Sequence, residues 1–340
     1  MKHEIPKAVL SSYDIGNVTR VKVVTDGLVH KTFEIETPTG QYILQKLHPV
    51  LASKAIGRDF LFVTRFLALE GFPTPQAVLS KKGDVVLKIG NDAWRMQTKL
   101  KGKTLHVLKD LKMAQACGEL YAQFHHVMDG FPYTFTSTKI LHETEKVYAS
   151  FLESVKKGKK EEVAEVQEEI EFLTIMLPKY FLPSDLPMRV IHGDPKISNI
   201  LFNTKGEAKA IIDLDTCNRR PLLVELGDAF RSWCGGAEDA IDNTFNLAVF
   251  RSAWRGYQKG AGDMMTKKEV QYVPQAIGTI TLELAARFMA DYFDDHYFGW
   301  DASRYASRRE HNLARARGQI SEFMDYQKKL PAIKKIVGGK

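Results

Sequence analysis

The 340-residue sequence is poor in cysteine and contains no long apolar run. Its three cysteines, Cys117, Cys217 and Cys234, are scattered and lack the spacing of a metal-binding cluster. An odd, sparse set fits a reducing cytoplasm better than a disulfide scaffold, and we therefore expect a cytoplasmic protein. No stretch approaches the roughly 18 to 20 apolar residues of a membrane helix, and the N-terminus lacks the apolar segment of a secretory signal.

Internal repeats, low-complexity segments and a stripe of like charge are also missing. The formal net charge is +7, which suits nucleic acid, an acidic membrane surface or a small polyanion such as ATP. The basic residues are spread along the chain except at residues 156–160, and Glu161 and Glu162 follow that run at once. We expect neither a nucleic-acid nor a membrane partner, because no basic stripe is interleaved with stacking aromatic residues.

The spacing of apolar residues divides the chain into a β-rich part and a mainly helical part. Near the N-terminus, runs of β-branched and aromatic residues alternate with turn residues, and residues 50–70 have helical spacing. After residue 107 the spacing is helical again, apart from short apolar runs at residues 189–213. We therefore predict an α+β fold in which residues 1–97 form a small antiparallel sheet lobe with one helix and residues 98–340 a larger, mainly helical lobe.

The segment VIHGDPKISNILF, residues 190–202, places a histidine, an aspartate, a lysine and an asparagine between aliphatic residues. Two apolar strands joined by a tight turn would form a hairpin that brings Asn199 close to Asp213 of AIIDLD. Amide and carboxylate oxygens suit Mg²⁺ held together with substrate phosphates. Asp194 would face the same ion and accept a proton from an attacking hydroxyl. The cluster therefore indicates phosphoryl transfer.

This spacing resembles the catalytic loop and metal-binding aspartate of protein kinases. It resembles more closely the H-G-D…N…I-D pattern of aminoglycoside phosphotransferases and choline kinases. Further segments are similar to the N-acetylhexosamine 1-kinase branch of that superfamily: ILHETEKVYASF, AIIDLDT, ELGDAFRS, ELAARFMADYFDDHYF and EHNLARAR. The resemblance implies a bilobal protein-kinase-like fold, ATP and Mg²⁺ as cofactors, and a small-molecule acceptor that is a sugar or an amino sugar.

The resemblance also implies a role for each residue of the polar cluster. Asp194 would be the catalytic base and would contact the acceptor, and Asn199 and Asp213 would be the magnesium ligands. Lys196 would contact the transferred phosphoryl group, with a solvated loop lysine as the alternative.

Three neighbouring polar residues take supporting roles. Asp215 would lie near the metal or the acceptor if the strand through Asp213 stays regular, because alternate residues of a strand share a face. A structural hydrogen bond is the alternative for Asp215. His192 would brace the loop from beneath, and Asp228 of ELGDAF would be a buried anchor for it.

The expected nucleotide side departs from protein kinases. The turn TDGLVHKTF has one glycine, where protein kinases carry G-x-G-x-x-G. By resemblance, Gly27 to Lys31 would cover the phosphates, with His30 or Lys31 near the γ-phosphate. The third strand, YILQKL, has Gln45 where kinases place a lysine, and Lys46 would face the opposite side of a regular strand.

Two further nucleotide contacts are expected from the same resemblance. Asp59 is the nearest candidate for the acidic partner that kinases carry on the first helix. The adenine would lie against residues 96–100, with Gln97, Lys99 and Leu100 in contact and hydrogen bonds to the backbone.

The acceptor side is expected around Arg287 and Tyr297, in the part of the chain that resembles the sugar-binding region. Arginine donates forked hydrogen bonds, and tyrosine adds a donor and a flat face. The expected reaction is phosphorylation of the anomeric hydroxyl of an N-acetylhexosamine. Three aspartates between Asp291 and Asp295 keep a cationic acceptor, an aminoglycoside or choline-like amine, as the alternative. Helix packing is the structural alternative for the aromatic residues.

The sequence also bears on two other classes of protein. A kinase fold that has lost catalysis and only binds is favoured by the altered phosphate loop and Gln45, but it would be expected to lack the base or the metal ligands. A protein-serine kinase is disfavoured because no D-F-G or A-P-E motif is present and little room exists for an activation loop between Asp213 and Asp228.

Overall fold

The computed structural model describes residues 5–24, 30–137 and 141–339, and these form the two predicted lobes. The N-terminal lobe holds an antiparallel sheet of six strands. The strands are β1 (Arg20–Val24), β2 (Lys31–Thr37), β3 (Gly40–Lys46), β4 (Ala77–Val78), β5 (Leu87–Ile89) and β6 (Asp92–Thr98). Their order is β1-β2-β3-β6-β4, and β5 also pairs with β6. The predicted α+β architecture, with a small antiparallel sheet lobe and a larger, mainly helical lobe, is confirmed.

The predicted helix of the N-terminal lobe is α2 (Lys54–Leu69). Ser53 caps it by accepting the N–H of Ile56, which satisfies one of the free donors of the first turn. Its buried face includes Phe60 and Val63. A short helix, α1 (Lys7–Ser11), precedes the sheet. It was not predicted because five residues show too little of a helical period.

The C-terminal lobe is mainly helical, as predicted. Two of its helices end at glycines, Gly235 and Gly262. The helices are α3 (Leu111–Asp129), α4 (Thr144–Lys157), α5 (Lys160–Glu165), α6 (Gln167–Met176), α7 (Leu222–Cys234), α8 (Leu247–Ala261), α9 (Lys267–Asp294) and α10 (Arg308–Val337). None of the described helices combines the length and the apolarity that a membrane crossing requires.

Four short strands of this lobe frame the polar cluster. They are β7 (Met188–Ile191), β8 (Ile200–Phe202), β9 (Ala208–Ile211) and β10 (Asn218–Pro221). The predicted hairpin is confirmed, since β8 pairs with β9 in antiparallel fashion. β10 pairs with β7, a contact that the sequence did not indicate. The loop between β7 and β8 and the turn between β9 and β10 are therefore neighbours.

Helix α2 joins the two lobes through the core. Phe60, Val63 and Leu67 belong to the same apolar cluster as the helices of the C-terminal lobe, whereas Phe33 and Trp94 form a separate core behind the sheet. Burying such side chains contributes about 1.5 to 3 kcal/mol each, so α2 binds strongly to the larger lobe. The division after residue 97 falls within the last strand of the sheet and stays a prediction.

Candidate active site

The loop after β7 is held by buried side chains of α7. The carboxylate of Glu225, which is 1% exposed, accepts the N–H groups of His192 at 2.9 Å and Gly193 at 2.7 Å. The indole nitrogen of Trp233 donates to the carbonyl oxygen of Pro195 at 2.6 Å. The anchoring hydrogen bonds that we expected from Asp228 therefore come from Glu225 and Trp233. These contacts fix the backbone on which Asp194 stands.

His192 lies beneath the loop, where the bracing role places it. Its Nε2 atom lies 2.9 Å from the carbonyl oxygen of Ile212, and its Nδ1 atom lies 3.2 Å from the backbone nitrogen of Asp194. Because Nδ1 accepts from an N–H group, the ring proton is on Nε2 and is donated to Ile212. The fully buried ring packs against Tyr121 and Phe124. His192 thus joins the loop of Asp194 to the end of β9.

Gly193 has a backbone conformation and a close contact that only glycine accommodates. Its φ angle is +84°, and a Cβ atom there would lie 2.6 Å from the carbonyl oxygen of Thr216. The hydroxyl of Thr216 donates to the carbonyl oxygen of His192 at 2.8 Å. The glycine of the H-G-D motif therefore allows the loop to contact the turn that carries Asp213.

Asp194, Lys196 and Asn199 form one hydrogen-bonded group. The side-chain nitrogen of Asn199 lies 2.8 Å from the carbonyl oxygen of Asp194 and 3.1 Å from its Oδ2 atom. The ammonium group of Lys196 lies 2.6 Å from the same Oδ2. The side chain of Asp194 is 28% exposed, so a substrate hydroxyl could reach it. Burial opposes the charge on Lys196, but Asp194 and Asp213 outweigh it and raise the pKa of the lysine.

Asp213 reaches the cluster through the predicted hairpin and an irregular turn. The N–H of Ile212 donates to the carbonyl oxygen of Asn199 at 2.9 Å. Strand β9 has then ended, Asp213 is left-handed with φ 66°, and residues 214–216 form a 3-10 turn. The regular strand considered for Asp215 is therefore wrong. The turn nevertheless brings ligand atoms of His30, Asp213 and Asp215 within 4.8 Å of one another.

The oxygen donors of this cluster fit Mg²⁺. Burial raises the pKa of Asp213, and the charges of Asp215 and Asp194 add to this effect. A divalent cation would relieve that repulsion, and the carboxylate of Asp213 with the amide oxygen of Asn199 offers the hard oxygen ligands that it prefers. His30 is a less suitable ligand for this ion, because magnesium sites are built from oxygen atoms.

Asp215 faces the N-terminal lobe. Both of its oxygens bind the guanidinium of Arg95, with 2.9 Å between Oδ2 and Nη2, and Oδ2 lies 3.3 Å from His30 Nε2. Gln45 Oε1 accepts from Arg95 Nη2 at 2.8 Å. Burial would raise the pKa of Asp215, but Arg95 and His30 outweigh it and hold that pKa below the usual range. Sequence reasoning missed Arg95, which lies in the middle of β6.

Several residues predicted to contact the nucleotide face other groups. Lys46 pairs with Asp92 at 2.8 Å on the other side of β3, as expected for a regular strand. Lys99 pairs with Glu34 at 2.9 Å, so its ammonium group is directed at the sheet. Gly27 lies outside the described residues. Lys31, the first residue of β2, is exposed, Gln97 is buried in β6, and Leu100 follows that strand.

Two backbone N–H groups of the segment proposed to contact adenine already donate hydrogen bonds within the N-terminal lobe. The N–H of Thr98 donates to Gln76 and that of Lys99 to Gln41, each at 2.9 Å. The adenine contact of residues 96–100 stays a prediction and requires other backbone groups of that segment.

Asp59 does not serve as the acidic partner of a strand lysine. Its carboxylate accepts the hydroxyl of Tyr133 at 2.7 Å and the N–H groups of Thr136 at 2.9 Å and Ser137 at 2.8 Å. The candidate ion-pair role is therefore wrong. Asp59 instead ties α2 to the segment that follows α3.

A cavity of about 460 Å³ lies between the start of α4 and the end of α9. Arg287 and Tyr297, predicted as acceptor contacts, both line it. The Arg287 guanidinium lies 5.8 Å from the ring centre of Tyr297 and 5.4 Å from that of Phe298. No carboxylate within 4 Å pairs with Arg287 in the described part of the chain. The cavity therefore offers a cation beside two aromatic faces.

The three aspartates of this region are engaged in structural contacts. Asp291 accepts the N–H groups of residues 296–298. Asp294 accepts the hydroxyl of Ser154 at 2.8 Å, and Asp295 lies 3.3 Å from Arg308. This weakens the case for a cationic acceptor, because all three carboxylates already have partners within the protein.

His142 connects the cavity to the polar cluster. The imidazole lies 2.9 Å from Glu283 and 3.6 Å from Asp228. Burial opposes its charge, but Glu283 and Asp228 outweigh it and raise the pKa of His142 to about 9. Asp228 also binds Arg231 at 2.7 Å, and its charge acts on Lys196. The carboxylate of Asp228 thus stands between the cavity and the loop of Asp194.

Comparison with known proteins agrees with this geometry. Residues 20–261 match the phosphotransferase enzyme family, APH. The chain belongs to this family. It is a small-molecule kinase with a hydroxyl group as acceptor, as its family and its relatives indicate.

Curated relatives of this phosphotransferase include homoserine kinases. One from Beijerinckia indica subsp. indica is 25% identical over 253 residues, covering 74% of this chain and 75% of the relative. One from Agrobacterium fabrum is 24% identical over 259 residues, covering 73% and 74%. The superfamily resemblance is thereby confirmed. These relatives are not N-acetylhexosamine kinases, so they give that branch no support.

Solved structures show the same fold. Amicoumacin kinase hAmiN, in complex with AMP-PNP, Ca²⁺ and Ami, has a TM-score of 0.64 and 15% identity and covers 92% of this chain and 91% of its own. An aminoglycoside phosphotransferase from Alicyclobacillus acidocaldarius has a TM-score of 0.68 and 14% identity and covers 99% and 97%. The phosphotransferase therefore has the bilobal architecture of these kinases.

Proposed function

We propose that this phosphotransferase transfers the γ-phosphoryl group of ATP, with Mg²⁺, to a hydroxyl group of a sugar or amino sugar. The observation that carries the proposal is the convergence of Asp194, Asn199 and Asp213, which come from two loops and are joined by hydrogen bonds through His192 and the β8–β9 hairpin. Phosphoryl transfer requires an orienting base, cation ligands and positive charge near the phosphates.

Asp194 accepts the proton of the attacking hydroxyl. Its carboxylate is held by Asn199 and Lys196 and remains partly exposed. A base of this kind must lie within hydrogen-bond reach of the hydroxyl that it deprotonates. Lys196 directs its charge to this carboxylate and would also stand beside the transferred phosphoryl group.

Asn199 and Asp213 would hold the magnesium ion. When bound, Mg²⁺ supplies neutralisation of the charge on the β- and γ-phosphates. The two residues are well placed to act together, because the backbone of Asn199 is bonded to Ile212 at 2.9 Å. Residues 27–31 would cover the phosphates. Of the two candidates for the γ-phosphate, Lys31 is the better one, because Asp215 and the N–H of His48 engage both ring nitrogens of His30.

For the acceptor we propose an N-acetylhexosamine, phosphorylated on its anomeric hydroxyl. The cavity of about 460 Å³ lies within the range of roughly 300 to 1,000 Å³ typical of small-molecule sites. The Arg287 guanidinium would donate to an acetamido carbonyl or to sugar hydroxyls, and the aromatic faces of Tyr297 and Phe298 would border the sugar ring.

Homoserine is the second candidate acceptor, because curated relatives at 25% and 24% identity are homoserine kinases. The same Arg287 would then bind the acceptor carboxylate. The two candidates differ in the group that Arg287 would bind: an uncharged oxygen of the sugar in one case, and a carboxylate in an ion pair in the other.

ADP release with Mg-ATP should be measured against N-acetylglucosamine, N-acetylgalactosamine, homoserine, choline and an aminoglycoside. We expect the N-acetylhexosamines to give the highest kcat/KM, and phosphorus NMR to place the product phosphate on carbon 1. Arg287→Gln is the matched variant, since it keeps hydrogen bonding and removes the charge. Turnover of homoserine alone, lost in Arg287→Gln, would replace the sugar proposal with the amino-acid one.

Thermal unfolding distinguishes a kinase from a protein that only binds through a kinase fold. A ligand that binds the folded form raises the melting temperature, so millimolar Mg-ATP should raise that of the wild-type protein. If Mg-ATP raises the melting temperature but no acceptor of the panel causes ADP release, the protein that only binds is favoured. If Mg-ATP leaves the melting temperature unchanged, the nucleotide assignment is overturned.

A further inference from the structure

Asp215 is surrounded by side chains of the opposite lobe. Arg95 of β6 binds both carboxylate oxygens, His30 lies 3.3 Å from one of them, and Gln45 of β3 holds the guanidinium at 2.8 Å. We name these four residues the interlobe clasp. Two sections of the N-terminal lobe therefore meet one carboxylate of the C-terminal lobe, and β3 acts on it through Arg95.

The clasp is closed off from solvent. The side chains of Arg95 and Asp215 are each 1% exposed, and that of His30 is 5% exposed. The guanidinium also lies over the ring of Phe60, 4.0 Å from its centre. A buried ion pair of this kind has little net effect on stability compared with apolar residues, but losing one partner leaves an uncompensated buried charge.

These contacts exclude Asp215 as a good metal ligand. Both of its oxygens already accept hydrogen bonds from Arg95, and a divalent cation placed there would be repelled by the guanidinium. The Nδ1 atom of His30 accepts the backbone N–H of His48 at 3.0 Å, so the ring proton lies on Nε2 and is directed at Asp215. His30 therefore acts in the clasp as a donor.

The clasp is joined directly to the metal-binding candidate. Asp215 lies two residues after Asp213, within a single 3-10 turn. A displacement of the Asp215 carboxylate would move this turn, and with it the carboxylate of Asp213. β6 is therefore connected to Asp213 through Arg95 and Asp215.

We propose that Arg95 is a positioning residue that acts through Asp215 to fix the N-terminal lobe at the correct distance from Asp213. This inference rests on the proposed function. In protein kinases a lysine on the third strand must pair with a glutamate on the helix for the site to be in place. Here Gln45 occupies that strand and holds Arg95, while Asp59 of the helix is bonded elsewhere.

The first test measures the clasp without nucleotide. Melting temperatures are compared for Arg95→Met, Asp215→Asn and the double variant. Arg95→Met keeps an unbranched apolar stem and removes the charge, whereas Asp215→Asn keeps the size of the side chain. Each single variant should lose several degrees, and the double variant should lose less than the two losses added together. Arg20→Met, which removes an exposed arginine of the same sheet, should change little.

The second test measures positioning. With Mg-ATP and a turned-over acceptor, Arg95→Met and Asp215→Asn should each raise the KM for Mg-ATP about tenfold or more, as loss of an outer partner of a metal ligand does. The KM for the acceptor should stay near the wild-type value, whereas a general loss of folding would lower the apparent kcat and leave both KM values unchanged. Arg95→Lys, which keeps the charge and loses the fork, should give an intermediate effect and serves if Arg95→Met does not fold.

Two results would overturn the inference. An increase in the KM for Mg-ATP in Arg95→Met but not in Asp215→Asn would show that Arg95 contacts the phosphates directly. Additive losses of melting temperature would show that the two residues are not coupled. If the wild-type protein neither responds to Mg-ATP nor releases ADP, the proposed function fails and the positioning role fails with it, while the melting temperatures still report whether the clasp exists.

Discussion

The Nε2–H group of His192 donates a hydrogen bond to the carbonyl oxygen of Ile212 over 2.9 Å. The bond crosses between the loop that carries Asp194 and the strand end that leads to Asp213. The other ring nitrogen accepts the N–H of Asp194. One buried ring therefore sets the relative position of the proposed base and the proposed metal ligand.

His192→Phe should lower kcat about 10- to 100-fold, in the range found for outer partners of metal ligands. Phenylalanine fills the apolar space beside Tyr121 and Phe124 but makes neither hydrogen bond, so the loop and the strand end would separate while the core stays filled. Steady-state kinetics with Mg-ATP test this. A kcat equal to that of the wild-type protein would show that the ring only packs.

His142→Asn tests the charged imidazole between Glu283 and Asp228. The folded-state pKa of about 9 lies above the usual 6.5, so protonated His142 stabilises the folded state fully below pH 6.5, and this contribution is lost as the pH rises through 9. It corresponds to about 3 kcal/mol at most. Asparagine suits the left-handed backbone at this position, where φ is 61°.

Urea unfolding of the wild type and of His142→Asn should be measured from pH 6 to pH 10. The difference in unfolding free energy between the two proteins should be largest at the acid end and should shrink toward pH 10. A difference that is independent of pH would contradict a charged imidazole.

Glu322→Gln should stabilise the protein at pH 8 and have much less effect at pH 4.5. Burial raises the pKa of Glu322 to about 8, although Arg231 opposes this. The unfolded chain ionises near 4.5, so the folded state loses stability as the pH rises from 4.5 to 8. Glutamine removes this loss, which is on the order of 3 to 5 kcal/mol.

Thermal unfolding of Glu322→Gln at both pH values tests this, with the exposed Glu168→Gln as control. The Oε1 atom of Glu322 is buried without a hydrogen-bond partner in the part of the chain that the structure covers. A melting temperature that falls equally at both pH values would mean that the carboxylate is needed in its ionised form.

The sequence predicted the parts of the site that depend on local patterns. The hairpin that joins Asn199 to Asp213 follows from two apolar runs around a turn, and the two lobes follow from the change in apolar spacing. The direction of the Asp215 side chain could not be predicted in this way. The left-handed conformation of Asp213 ends the regular alternation of side chains between the two faces of a strand.

The contacts that were missed join residues far apart in the chain. Arg95 and Asp215 are 120 positions apart, and Glu225 lies 33 positions after His192. Both acidic partners resemble ordinary polar residues of their own segments. The pairing of β6 with the rest of the sheet brings Arg95 to the site, and the position of α7 behind the loop brings Glu225 there. Neither arrangement is visible in a local pattern.

Asp194→Asn tests the central claim most directly. The substitution keeps the size of the side chain and removes the proton acceptor, so ADP release should fall about 10²- to 10⁴-fold. The rise in melting temperature caused by Mg-ATP should stay close to that of the wild-type protein, because the nucleotide is held elsewhere. Phosphorylation at the wild-type rate in this variant would contradict the account.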